Sequence, residues 1–160
     1  MYMRSRPEEV AMCREVRGKP YVPGAPAFNL SHTSGRMIAA FSSRPVGIDV
    51  ELAARGVKAG ELAKKFFSES EREAVTKLEG SGRDLTFLRY WVCKEAIVKL
   101  SGDGIYRGLR HARVDLAAEG TSRGSYRGRE VCLKEFRPEP DLVAALASWE
   151  PLEAKAFFRI

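Results

Sequence analysis

Two stretches of the chain carry a hydrophobic pattern clear enough to name an element. In Val46–Leu52 (VGIDVEL), Val46, Ile48, Val50 and Leu52 alternate with Gly47, Asp49 and Glu51, the period of two of a half-buried β-strand. Asp49 and Glu51 therefore point to one side. In Tyr90–Leu100 (YWVCKEAIVKL) apolar residues are spread around a helix at about 100° per residue, with Glu95 and Lys99 four positions apart on one side. Leu88, Trp91 and Val92 share the side of Glu95. A carboxylate and an ammonium among large apolar residues need a partner, whether a metal, a phosphate or each other, because an isolated buried charge is costly. A plainer arrangement also fits: a Glu95–Lys99 helix pair worth about 0.2–0.5 kcal/mol, and two solvated acids on an edge strand.

The remaining pattern predicts an α+β chain. Met1–Val16 is mixed and charged, a weak helix or a frayed arm, and Gly18–Pro26, with Pro20, Pro23, Gly24 and Pro26, predicts an irregular loop. Phe28–His32 and Met37–Phe41 read as short strands around Ser34-Gly35, and Ser43-Arg44-Pro45 turns the chain into Val46–Leu52. Such short connections predict an antiparallel meander of these three strands. From Ala59 the period becomes helical, and Ser68 with Glu71 three residues on is a capping-box signal for a helix toward Leu78. Glu79–Arg83 reads as a loop, and the long helix runs from about Leu85 to Leu100, stopped by Ser101-Gly102. Strands are expected at Ala112–Ala117, Glu130–Phe136, Leu142–Trp149 and Ala154–Ile160, with Gly120–Gly128 the most flexible stretch.

Composition narrows the class without choosing it. A chain of 160 residues, 44% hydrophobic, suits one domain with a real core. No apolar run approaches the ~20 residues that span a membrane, and Arg4, Arg6, Glu8 and Glu9 interrupt any signal-like stretch. A cytoplasmic protein with no membrane contact is the expectation. Cys13, Cys93 and Cys132 form no C-x-x-C pair, so neither a disulfide framework nor a zinc site is indicated. A net charge of +6 would attract an anionic cofactor or an acidic protein, and equally nucleic acid. No aromatic-rich basic motif points to nucleic acid.

Together the strand G-I-D-x-E and the helix W-x-x-K-E-A-x-x-K resemble the paired signature of the 4′-phosphopantetheinyl transferases. Gly18-Lys19-Pro20, Phe28-Asn29-Leu30-Ser31-His32 and Lys65-Phe66-Phe67-Ser68 follow in the order of the larger, surfactin-type branch. The resemblance covers nearly the whole chain from about Arg14. Surfactin-type members carry a longer segment ahead of the G-K-P loop, where this chain has Met1–Val16. The expected organisation is thus one domain over residues 1–160, a partial first half to about residue 45 and a second half, 46–160, carrying the metal site.

The resemblance implies a fold in which an antiparallel sheet packs on the long motif helix. It also implies transfer of 4′-phosphopantetheine from coenzyme A to a serine of an acyl or peptidyl carrier protein, releasing 3′,5′-ADP. Asp49, Glu51 and Glu95 would hold Mg²⁺ or Mn²⁺, hard ions that prefer carboxylate and phosphate oxygens. Glu95 would be the general base toward the serine hydroxyl, or a metal ligand alone. Lys99 would act on a phosphate oxygen in binding and in reaction, and Lys19, Ser31 and His32 would contact phosphates of coenzyme A. Lys94 reads as a surface residue or a cofactor contact, and Phe66 and Phe67 as core residues or a docking patch for the carrier. With the front shortened, self-association across the first-half strands is expected, with Arg4, Arg6 or Arg14 supplying contacts to the 3′-phosphate. Two other readings are a coenzyme-A-binding or assembly module of the same fold with little turnover, and a basic nucleic-acid-binding protein.

Overall fold

The computed structural model describes residues 6–54, 59–118 and 121–151. After a single 3₁₀ turn at Pro7–Glu9, the strands β1 (Cys13–Arg14) and β2 (Pro20–Tyr21) form a small antiparallel ribbon. The Gly18–Pro26 loop therefore includes one short strand. β3 (Ala27–Thr33) and β4 (Arg36–Ser42) make a hairpin in full register from Ala27↔Ser42 to Thr33↔Arg36. Its two-residue turn, Ser34-Gly35, has φ of 45° and 76°, the left-handed pair that matches strand twist.

The expected meander is not what forms. β5 (Val46–Leu52) leaves the hairpin and pairs antiparallel with β9 (Leu142–Ser148), at the edge of a five-stranded sheet ordered β5-β9-β8-β7-β6. The other strands are β6 (Ala112–Asp115), β7 (Thr121–Tyr126) and β8 (Arg129–Phe136). The glycine-rich stretch expected to be most flexible holds β7, because Ser122 and Gly124 meet Leu133 and Val131 of β8 in a regular ladder. Its turn is Arg127-Gly128, again with positive φ. Ala154–Ile160 lies outside the described residues.

The helices begin and end where local chemistry dictates. α1 (Ala59–Phe66) leads to α2 (Glu69–Thr76), whose N-cap Ser68 and Glu71 make the reciprocal capping box. α3 (Gly80–Ser101) starts earlier than its pattern suggests, at Gly80, and stops at Gly102, whose φ of 75° supplies the left-handed C-cap. A short α4 (Ile105–Gly108) follows. Among the described residues no helix is long and apolar enough to cross a membrane.

α3 is buried on most sides and lies across the sheet: Phe87, Val92, Cys93, Ala96, Ile97 and Leu100 share one core with Val131, Leu133, Ala145 and Ala147. Phe66 and Phe67 belong to this core, Phe67 stacking on Phe87 with centroids 5.2 Å apart. The core reading of both phenylalanines holds. Small residues set how near α3 comes. A Cβ on Gly47 would lie 2.1 Å from the Ala96 carbonyl oxygen and 2.5 Å from the Leu100 nitrogen, so only glycine fits beneath the helix. Since Gly47, Asp49 and Glu51 alternate on one face of β5, this contact sets both acids on the α3 side.

Candidate active site

The site forms where β3, β5 and the last turns of α3 meet. β5 pairs with β9 along one edge, and the other edge would present bare amides. Side chains of β3 cover them: Asn29 Oδ1 accepts from the Ile48 amide at 2.8 Å, and Ser31 Oγ from the Val50 amide at 3.3 Å. One position further along, Thr33 Oγ1 donates to Glu51 Oε2 at 3.1 Å. Asn29, Ser31 and Thr33 are all buried, on the face of β3 turned toward β5. Asn29 and Thr33 were not among the sequence candidates. Their signal is the period-two polar run N-x-S-x-T, polar where an ordinary strand would turn apolar side chains inward.

Asp49 is the hub. Ser31 Oγ lies 2.7 Å and Lys99 Nζ 2.7 Å from its Oδ1, and Lys99 Nζ also reaches Ser31 Oγ at 2.9 Å. These three side chains form a closed triangle. Burial pushes the Asp49 carboxyl above its ordinary value, with the Lys99 ammonium and the Ser31 hydroxyl pulling the other way and Glu51 adding like-charge repulsion. Asp49 Oδ2 is buried and accepts no hydrogen bond. A buried carboxylate oxygen with open lone pairs is expensive in a finished core.

Glu51 is buried beside Asp49 on the same face, and Glu95 stands one helical turn before Lys99, half-buried. Among the described residues, no three His, Cys, Asp or Glu side chains are gathered closely enough to form a finished metal cage. The donor chemistry nonetheless suits a hard divalent ion, since all three groups are carboxylates and Asp49 Oδ2 has spare acceptor capacity.

Three other candidates stand apart from the triangle. Lys19 is half-buried and donates to carbonyl oxygens of Lys99 at 2.8 Å, Val46 at 3.3 Å and Leu100 at 3.4 Å. It thus clamps the carbonyl end of α3, where a cation is favoured, and burial lowers its pKa. His32 is exposed on the opposite face of β3 from Ser31. Lys94 requires a correction. It is fully buried, paired with Glu71 at 2.8 Å and hydrogen-bonded to the Ala112 carbonyl at 2.6 Å, so it is neither a surface residue nor exposed to a cofactor. The apolar surroundings of α3 leave no side of residue 94 facing solvent.

A model of the "4′-phosphopantetheinyl transferase superfamily" matches residues 45–147, the span holding β5, α3 and all but the last residue of the five-stranded sheet. The 4′-phosphopantetheinyl transferase HetI of a Nostoc strain is 32% identical over 94% of this chain and 67% of its own length. The 4′-phosphopantetheinyl transferase psf-1 of Bacillus pumilus is 34% identical over 71% of this chain and 48% of its own. For the Sfp enzyme of Bacillus subtilis the figures are 34%, 64% and 46%. The chain thus spans two thirds of HetI but less than half of the Bacillus proteins. With this match lying over the strand and helix that build the Asp49 cluster, the chain belongs to the 4′-phosphopantetheinyl transferase superfamily.

Proposed function

We propose that this chain transfers 4′-phosphopantetheine from coenzyme A to a serine hydroxyl of an acyl or peptidyl carrier protein, with Mg²⁺ or Mn²⁺, releasing 3′,5′-ADP. The observation that carries this reading is the Asp49–Ser31–Lys99 triangle, with its unsatisfied Asp49 oxygen, in a chain of this superfamily. Asp49, Glu51 and Glu95 would hold the ion. When bound, it supplies charge neutralisation on the pyrophosphate and on the departing phosphate.

The protein's own groups then have separable tasks. Lys99 gives its ammonium to a phosphate oxygen, and Asp49 and Ser31 fix where that ammonium stands. Glu95 takes the proton of the carrier serine as its oxygen bonds to the phosphorus that bears pantetheine. The bond from that phosphorus to the bridging oxygen breaks, and 3′,5′-ADP leaves. Ser31 would meet a phosphate by exchanging its hydrogen bond to Asp49, and His32 would meet one from the outer side of β3. Lys19 would reach a phosphate by exchanging the carbonyls of α3, so part of its contribution is to hold that helix. Phosphoryl transfer depends mainly on such placement and electrostatics.

The deciding experiment incubates the protein with an apo carrier protein, coenzyme A and Mg²⁺ and weighs the carrier by mass spectrometry. A gain of one phosphopantetheine is expected. An unchanged carrier mass, with coenzyme A still bound in calorimetry, would favour the coenzyme-A-binding module with little turnover.

A further inference from the structure

We infer that Lys94, through its buried pair with Glu71, is a positioning residue that sets the rotation of α3 and thereby aims Lys99 at Asp49 of β5. This rests on the transferase reading above for its effect on rate, though not for its effect on geometry.

The pair is wholly enclosed, Lys94 at 0% and Glu71 at 1% side-chain exposure. Every strong contact of the Glu71 carboxylate lands on a different element. Oε2 accepts from the Ser68 amide at 2.7 Å and from Lys94 Nζ at 2.8 Å, while Oε1 accepts from the Val114 amide of β6 at 2.8 Å. Lys94 Nζ adds the Ala112 carbonyl at 2.6 Å and stands 5.4 Å from the centre of the Phe67 ring. One carboxylate and one ammonium thus join the start of α2, strand β6 and the middle of α3.

Stability alone gives little reason for ions here. A buried pair commonly does no better than apolar residues of the same volume, because desolvation offsets the attraction. Directionality is what apolar packing does not supply. Around α3, Glu95 lies about 100° and Lys99 about 140° from Lys94, so Lys94 faces α2 and β6 while Lys99 faces Asp49. At the ~6 Å radius of helical side chains, a rotation of about 10° moves their tips by about 1 Å. A misplacement of that size can lower a rate about 100-fold.

The test is the double variant Glu71→Gln/Lys94→Met, which removes both charges at similar volume and keeps one acceptor for the amides. Two readouts are taken beside a thermal melt. The first is transfer to a carrier protein, resolved into kcat and KM for coenzyme A. The second is the ¹⁵N signal of the Lys99 ammonium, assigned by Lys99→Arg, which reports the Asp49–Ser31 triangle in any case. The expected result is a cooperative melt, kcat lowered about 10- to 100-fold, KM within about threefold, and a shifted or lost Lys99 signal. An unchanged Lys99 signal, or a kcat within threefold of wild type, overturns the proposal. If the double variant does not fold, Glu71→Asp, which withdraws the carboxylate by one methylene, is held to the same two readouts. A wild-type chain that transfers nothing refutes the transferase reading instead, and the ammonium signal then decides the positioning role by itself.

Discussion

The Lys99 ammonium lies 2.7 Å from Asp49 Oδ1, joining the last turn of α3 to the middle of β5. The side chains keep 21% and 4% of their exposure, so a partly exposed cation is seated by a buried acid. Lys99→Ala is expected to weaken coenzyme A binding about 10- to 100-fold, the range for a lost charge-assisted hydrogen bond, and to slow transfer with it. Titration calorimetry beside a thermal melt checks this. Normal binding with a lowered melting temperature would leave Lys99 a structural partner of Asp49.

Burial raises the Asp49 pKa above its ordinary 3.8, and this has a definite sign in the metal-free protein. A carboxyl with a raised folded pKa contributes stability that is fully present below 3.8 and lost as pH rises through the folded value. Asp49→Asn removes that loss. The melting temperature of the variant in chelator should therefore climb relative to wild type as pH rises from 4 toward neutrality (about three pH units, ample for one titration). A constant or falling difference would contradict the burial of an ionised Asp49.

Gly47 sets the distance between the two elements that carry the site. Its missing Cβ would fall 2.1 Å from the Ala96 oxygen and 2.5 Å from the Leu100 nitrogen, both backbone atoms with little freedom to yield. Gly47→Ala is expected to destabilise by about 1–3 kcal/mol or more, as overpacking does, and to lower transfer activity beyond that loss. Denaturant titration gives the first and assays on the folded fraction the second.

The carboxylates predict dependence on a hard ion. Exhaustive chelation should abolish transfer and Mg²⁺ or Mn²⁺ restore it, while Zn²⁺, which favours imidazole and thiolate ligands, should restore it less well. Glu95→Ala should lower kcat by about 100-fold or more, the scale of a lost general base, in a variant that still melts cooperatively. Activity persisting through chelation would remove the metal from the mechanism.

How much of this was legible in the sequence follows from the range of each interaction. The period-two acids of β5, the capping box of Ser68 and Glu71 and the Gly102 stop are local signals, and each lies where its pattern indicates. The partner of β5 was not legible, because Val46–Leu52 pairs with Leu142–Ser148 far along the chain, and short turns suggested a meander instead. Lys94 misled for a related reason. A lysine beside a glutamate on a helix reads as surface until Glu71 and Ala112 close over it. Lys19 shows the same limit, since the Gly-Lys-Pro loop gives no sign that its ammonium would rest on the carbonyl end of α3.

The outer face of the β3–β4 hairpin bears on assembly. Leu30 is 37%, Met37 72% and Phe41 74% exposed, and the Phe28 and Phe41 rings lie 6.2 Å apart on the same side. Among the described residues β4 pairs only with β3, leaving its other edge open, and Met37–Phe41 holds no charge to discourage a further strand. An apolar sheet face beside an open edge favours association, so self-association across this hairpin is expected at micromolar concentration. The double variant Met37→Lys/Phe41→Lys should shift the protein to monomer in sedimentation without disturbing the inner face, where Asn29, Ser31 and Thr33 meet β5. If Arg6 or Arg14 of a second copy completes the phosphate contacts, coenzyme A affinity should fall with dilution and in that variant. A wild-type monomer with undiminished affinity would place every contact to coenzyme A within one chain.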